Sequence, residues 1–313
     1  MSVKPKKIVE CIPNVSEGRD PDKIEQLAQA VKGTPGVALL DVDSDADHHR
    51  TVISFVGGPE AVGEAALRLV EKAVELIDLT KHKGEHPRMG AVDVIPFVPI
   101  QNVTMAECVE LSKRVGQQIW ERFRVPVYLY EQSATRPERE NLATIRKGEF
   151  EGFFEKIQEP DWAPDFGERE VHPTAGVVAV GARMPLIAFN VNLGTDNLDI
   201  AKKIAQAVRH LSGGLRYVKA LGFKLEDRGI VQVSMNMTNY QKTPLYRAFI
   251  LIEREAKRYG VPVVGSEIVG LVPREALYQT AEFFLQLEDF QREQILEDRI
   301  EQALQEAEGS PEG

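Results

Sequence analysis

The chain has 313 residues, 43% hydrophobic and 27% charged, enough for one large domain or two of about 150 residues each. Its 48 acidic and 38 basic side chains leave a net charge of −10, which excludes a non-specific nucleic-acid binder, since that function needs a basic face to release counterions. Two unpatterned cysteines, Cys11 and Cys108, argue against a disulfide framework or a cysteine zinc site, and no apolar run of about eighteen residues is there to span a membrane.

The N-terminus, MSVKPKK, is basic, but the IVECIP behind it is too short and too polar for a signal peptide, so a cytoplasmic location is expected. KIVECIPNV reads as a strand running into a loop. Pro21 then opens a helix with Ile24, Leu27, Ala28 and Val31 at helical spacing. GVALLDVDSD is a strand, DADHH a turn and RTVISFVGG a returning strand. PEAVGEAALRLVEKAVELIDL is an amphipathic helix with Val62, Ala65, Ala66, Leu69, Val70 and Ala73 along one stripe. AVDVIPFVPI is a strand whose prolines place it near an edge or a bulge. A helix (TMAECVELSKRVGQQIWERF) and a strand (VPVYLYE) follow.

The order β-α-β-β-α-β then returns. PLIAFNVNL is a strand, NLDIAKKIAQAVRHLS a helix, and LRYVKALGFKLEDRGIVQVSMNMTN two strands about a turn at Asp227–Gly229. PLYRAFILIEREAKRYG is a helix and VPVVGSEIVGLVP a strand. The expected fold class is therefore α/β (α+β): two ferredoxin-like βαββαβ subdomains packed sheet to sheet with helices outside, and a cleft at the joint. The boundary falls near Val178–Arg183, dividing residues 1–180 from 181–313. Between the repeats, QSATRPERENLATIRKGEFEGFFEKIQEPDWAPDFGEREVHPTAGVV has no clear periodicity and reads as an ordered loop, since such segments are usually functional. From about Gln279 the tail reads as an acidic capping helix with a frayed end, EGSPEG.

Chemistry concentrates in two places. DVDSDADHH resembles a calcium loop, but the positions that need Gly and Glu hold Ala46 and Val52, or His48 and Ser54. An Asp/His metal site of other spacing stays open there, beside the plainer reading of a polar hairpin tip. Asp43 stands where its strand leaves the sheet, placed to orient an imidazole. KHKGEHPRMG, residues 81–90, gathers Lys81, Lys83, Arg88, His82, Glu85 and His86 between a helix and a strand. His82 reads as a surface residue. Pro87 restricts His86, and flanking cations favour its neutral, proton-accepting form while Glu85 acts the other way. Arg88 suits a carboxylate through its planar fork. One proton shuttle among cations suggests a small anionic substrate. No GxSxG elbow, P-loop or GxGxxG after a strand is present, so direct transfer between two bound substrates is favoured over a covalent enzyme intermediate.

VECIPNVSEGRD, GVALLDVDSDADHHRTV, HKGEHPRMGAVDVIPFVPI, VPVYLYE, DWAPDFG, PTAGVVAVGARMPLIAFNVNL and VPVVGSEIVGLVP, in that order, resemble the glutamate formiminotransferase family, whose domain is fused to a cyclodeaminase in some organisms. The resemblance implies transfer of a formimino group from N-formimino-L-glutamate to tetrahydrofolate, a co-substrate, in histidine degradation. It implies two α/β subdomains with folate between them, a homodimer, and no metal. Its catalytic histidine falls on His86 and the supporting aspartate on Asp43. Its folate-binding segment falls on Gly167, Glu168, Arg169, Glu170, Val171, His172, Pro173, Thr174, Ala175 and Gly176. Arg88, Arg183 and Arg50 are candidates for gripping substrate carboxylates. The chain stops at Gly313 without a cyclodeaminase domain, so ring closure is expected to fall to a separate cyclodeaminase or not to occur, and formyl transfer between 5-formyltetrahydrofolate and glutamate is the alternative main activity. Two rivals from other classes remain: a metal-dependent hydrolase built on Asp43, Asp45, His48 and His49, and a ferredoxin-like module that binds folate without turnover.

Overall fold

The structure is a computed structural model that describes residues 6–309 except residue 85. Glu85 and the end of the tail, residues 310–313, whose roles were anticipated above, lie outside the described residues. The chain divides into two units, Met1–Pro185 and Leu186–Gly313, each a mixed α/β body built on its own sheet.

In the first unit, β1 (Ile8–Cys11) and β2 (Asn14–Val15) are halves of one strand interrupted at Ile12–Pro13. Helix α1 (Pro21–Lys32) starts where Asp20 accepts the amides of Asp22 and Lys23 at 3.1 and 3.2 Å, with proline in the first turn, where no partner for its missing N–H is needed. Strands β3 (Val37–Asp45) and β4 (Arg50–Gly57) form a hairpin. Helix α2 (Pro59–Leu76) buries Val62, Ala65, Ala66, Leu69, Val70 and Ala73, and it packs against α1. β5 (Val92–Gln101) leads to α3 (Met105–Phe123), whose start is fixed by a Thr104–Glu107 capping box. β6 (Val127–Glu131), α4 (Leu142–Arg146), α5 (Glu149–Lys156) and β7 (Val178–Ala182) complete the unit.

The sheet runs from β3 at one edge through β4, the broken β1/β2 strand and β5 to β7 and β6. Pairing is antiparallel as far as β5 and parallel from β5 to β7 to β6. Two sequence expectations are refined here. β5 is central in the sheet, so of the edge or bulge that its prolines indicate it is the bulge that is found, where the β1 and β2 registers shift against it. It tolerates its prolines because Pro96 faces the break in β1/β2, accepting from the Ile12 amide at 3.3 Å, and Pro99 sits where the β1 register shifts. The irregular stretch holds two short helices, α4 and α5, too brief to set up a readable period.

The second unit has β8 (Ile187–Leu193), α6 (Leu198–Val208), β9 (Val218–Leu225), β10 (Ile230–Met237), α7 (Leu245–Arg258) and β11 (Val263–Val269). Its strands lie in the order β11-β8-β10-β9, all antiparallel. Phe189, Val191, Ile204, Val233, Met235 and Ile252 fill its core. The tail is two helices rather than one, α8 (Arg274–Leu285) and α9 (Leu296–Gly309). They are separated where Gln286 and Asp289 adopt left-handed backbone at φ 54°, which ends a right-handed helix.

Candidate active site

The HPRMGA loop is held by backbone hydrogen bonds from three directions. The His86 amide donates to the His48 carbonyl at 3.4 Å, on the hairpin tip between β3 and β4. Phe150 of α5 donates to Arg88 O, and Val177 donates to Met89 O, each at 2.9 Å, while Ala91 donates to Ala175 O at 2.9 Å. His86 is thereby brought together with the hairpin tip and with the end of the 167–176 segment. The close approach requires glycine. A Cβ on Gly84 would meet His48 O and the His49 Cβ at 2.6 Å, and one on Gly176 (φ +70°) would run into Met89 O. Gly84→Ala is expected to destabilise by about 1–3 kcal/mol, the usual cost of overpacking, and to lower activity by displacing His86; a denaturation midpoint and an initial rate check both.

Among the described residues, no hydrogen bond engages either nitrogen of the half-buried His86 ring. Burial, and then the charges of Arg146 and Arg50, pull its pKa from 6.5 to about 3, with smaller contributions from His48 and His82. The cations anticipated around His86 are real, but they come from α4 and β4 rather than from its own loop. The ring is therefore neutral at physiological pH. Because the unfolded chain binds His86's proton near pH 6.5 and the folded chain only near 3, His86 makes folding less favourable as pH falls through that window. His86→Ala should flatten that part of the acid limb of stability against pH, measured by denaturant titration at a series of pH values.

The other histidine of the loop is not a surface residue. His82 is 6% exposed: its Nε2 donates to His49 O at 2.9 Å, and its Nδ1 accepts from Arg88 Nε at 3.2 Å. Both nitrogens are committed, which fixes a neutral tautomer and a structural part. Arg88 does bind carboxylates, but the protein's own: its guanidinium holds Glu151 at 2.6 and 2.8 Å and Glu149 at 3.0 Å, tying the start of α5 to the loop. That pairing raises its pKa further, Glu151 contributing most.

Asp43 is exposed on edge strand β3, opposite Val52, and its charge acts on Arg50. No hydrogen bond joins it to His86 among the described residues. Arg50 is half-buried, and its buried Nε has no hydrogen-bond partner among the described residues. Arg183 lies further along the sheet, its amide on Phe97 O at 3.1 Å and its guanidinium on Met184 O at 3.0 Å. In the 167–176 segment, Glu168, Arg169, Glu170 and Pro173 are exposed while Val171, Ala175 and Gly176 are buried. Gly167 packs against Trp120 and Pro126, where a Cβ would be crowded at 3.1 Å, and its φ of +126° strains any other residue. His172 closes the turn, its Nδ1 accepting from Ala175 N at 3.0 Å. Thr174 lines a cavity of about 480 Å³ with Ser16, Glu17, Lys23, His49 and His82.

On the hairpin tip, Asp45 and His48 pair at 2.8 Å, and His49 accepts from Gly18 N at 3.1 Å. Among the described residues, no group of three or more His, Cys, Asp and Glu side chains could hold a metal ion.

Two residues at the site were not picked out from the sequence. Asp93, 1% exposed on β5, accepts Met89 N on one oxygen at 2.9 Å, and on the other holds the Arg146 guanidinium through Nε at 2.7 Å and through a terminal nitrogen. An aspartate within the apolar run AVDVIPF was the available signal, because a buried carboxylate needs a partner. Arg146 lay in a stretch without period.

Comparison with known proteins identifies the family of the chain. Residues 8–183 match the family described as "Formiminotransferase domain, N-terminal subdomain", and residues 188–307 match "Formiminotransferase domain". The chain belongs to the formiminotransferase family. A glutamate formimidoyltransferase of Streptococcus pyogenes serotype M1 is 59% identical over 94% of this chain and 99% of its own. One from Thermoplasma acidophilum is 49% identical over 95% and 98%. The formimidoyltransferase-cyclodeaminase of Gallus gallus is 45% identical over 90% of this chain, which spans 53% of that longer protein.

Within this formiminotransferase, the DWAPDFG segment serves the scaffold. Arg139, 1% exposed, binds Asp165 at 2.7 Å and the carbonyls of Asp161 and Ala163 at 2.9 and 2.6 Å, and lies over the Tyr128 ring. Asp165 in turn accepts the Leu129 amide of β6 at 2.8 Å. The clamp fixes the path of the chain into the 167–176 segment.

Proposed function

We propose that this protein is a glutamate formiminotransferase, moving the formimino group of N-formimino-L-glutamate to tetrahydrofolate to give 5-formiminotetrahydrofolate and L-glutamate, with His86 as the proton shuttle. Near-complete alignment with two glutamate formimidoyltransferases supports the reaction. The observation that carries the mechanism is the neutral, unengaged imidazole of His86 in a cationic setting.

N5 of tetrahydrofolate attacks the formimino carbon, forming a C–N bond and a tetrahedral centre. The folate nitrogen gives up its proton to His86. The imidazolium returns that proton to the glutamate nitrogen, the C–N bond to glutamate breaks, and the imidazole is neutral again. Atoms and charge balance without a covalent enzyme intermediate. Proton transfer of this kind contributes about 10²- to 10⁴-fold, and holding both substrates in register contributes more. Arg50 serves a substrate carboxylate, supported by its unpartnered Nε. Asp43 acts on Arg50, which in turn acts on His86, so its support of the base is indirect. The 167–176 segment serves folate, supported by its backbone bonds to the His86 loop.

We read each unit as a split-βαβ, ferredoxin-like subdomain, with the catalytic histidine in the first. In the second unit the fourth strand lies beside the first, then the third, then the second, the order that arrangement requires. Work in the cytoplasm is supported by two free buried cysteines. Assembly as a homodimer belongs to the same reading. Incubation with tetrahydrofolate and N-formiminoglutamate, followed by absorbance of 5-formiminotetrahydrofolate, is expected to show product. Product only with 5-formyltetrahydrofolate and glutamate would replace this reaction with formyl transfer.

A further inference from the structure

We propose that Arg146, set by Asp93 and joined by Arg50, forms a receptor for a substrate carboxylate beside His86, and that filling this receptor switches His86 on as a base. The inference rests on the transfer reaction proposed above and names the group that reads its substrate.

Three observations on different elements converge. Arg146 is held side-on by a carboxylate that is itself almost fully buried, so its guanidinium is aimed rather than free to rotate, with edges left over for a second acceptor. The other Asp93 oxygen holds the Met89 amide, three residues from His86, so a single carboxylate sets both the arginine and the loop of the base. Arg50 brings a second cation with an unpartnered buried Nε, and the charges of the two arginines act on each other. The two guanidiniums repel each other; Asp43, Asp45 and Asp93 offset part of the charge on Arg50, yet both arginines still act as cations on His86, and an incoming carboxylate would neutralise that remaining field.

The groups acting on His86 are Arg146 from α4, Arg50 from β4, His48 from the hairpin tip and His82 from its own loop; each of them opposes its protonation. In the empty site His86 is neutral but a poor proton acceptor, because a base this weak gains little by taking a proton. A carboxylate on Arg146 and Arg50 offsets both fields and restores its basicity. The base is then strong only when substrate is present, and water finds it idle.

The carboxylate comes from formiminoglutamate or from the glutamyl tail of folate, and kinetics separate the two. Arg146→Gln, Arg146→Lys and Arg50→Gln are compared with wild type on KM for formiminoglutamate, for tetrahydrofolate, and for tetrahydropteroate, which lacks the tail. Loss of a charge-assisted contact is expected to raise one KM about 10- to 100-fold in Arg146→Gln, with partial recovery in Arg146→Lys and a rise in the same KM in Arg50→Gln. A rise for formiminoglutamate identifies the amino-acid carboxylate. A rise for tetrahydrofolate but not for tetrahydropteroate identifies the tail.

A second readout needs no turnover. In protein labelled at histidine Cε1, L-glutamate or 5-formyltetrahydrofolate should raise the NMR titration midpoint of His86 in wild type and not in Arg146→Gln. Folded variants with both KM values unchanged, or a His86 midpoint that neither compound moves, overturn the receptor. A wild type that binds and shifts His86 but makes no product overturns the transfer reaction and leaves the receptor standing.

Discussion

His86→Ala is expected to lower kcat about 10²- to 10⁴-fold while leaving tetrahydrofolate affinity unchanged. The ring forms no hydrogen bond within the described protein, so removing it breaks no network, and the surrounding backbone bonds run through main-chain atoms that alanine keeps. Relief of the acid-side penalty described above means the variant should be no less stable than wild type at low pH. Stopped-flow or steady-state rates with folate fluorescence titration measure both arms. A large loss of folate binding with kcat preserved would make His86 a binding residue and not a shuttle.

Arg139→Ala is expected to cost about 3–5 kcal/mol, enough to unfold a marginal protein. The substitution leaves the Asp165 carboxylate, 8% exposed, without its cation, and takes from the Ala163 carbonyl and from that of Asp161 the donor that ties them to Arg139. It also removes the cation over the Tyr128 ring. Arg139→Lys keeps the charge but cannot reach three acceptors in one plane, so it should recover only part of the loss. Urea denaturation of the three proteins orders them. Equal midpoints would show the clamp to be dispensable.

Local physics made much of the fold readable in advance. The α2 stripe from Val62 to Ala73 and the turn ending at Gly229 needed no partner to declare themselves. The prolines of β5 signalled irregular pairing but not the strand's central place, because they are excused by a break in a neighbouring strand, a fact of pairing that no window of the sequence contains. The α4–α5 segment was unreadable because its order comes from Arg139 and Arg88, each reaching carboxylates distant in sequence or on a short helix.

The site was legible to a similar degree. His86 stood out through its loop, and the need for a carboxylate-binding cation was clear, but Arg88, the nearest candidate, is occupied by Glu149 and Glu151. The arginine that dominates the field at His86, Arg146, is sixty residues away in sequence and is tied to the site by Asp93. Only the chain's return through α4 brings them together. Asp43, the proposed support of His86, acts on Arg50, an electrostatic relation with no sequence signature.

The most direct test of the account is the rate of formimino transfer by His86→Gly as a function of added imidazole. The account predicts a rate near zero without imidazole that rises with the concentration of its neutral form, because a diffusible base takes the vacated place of the side chain. A rate equal to wild type at zero imidazole, flat as imidazole is added, would contradict it.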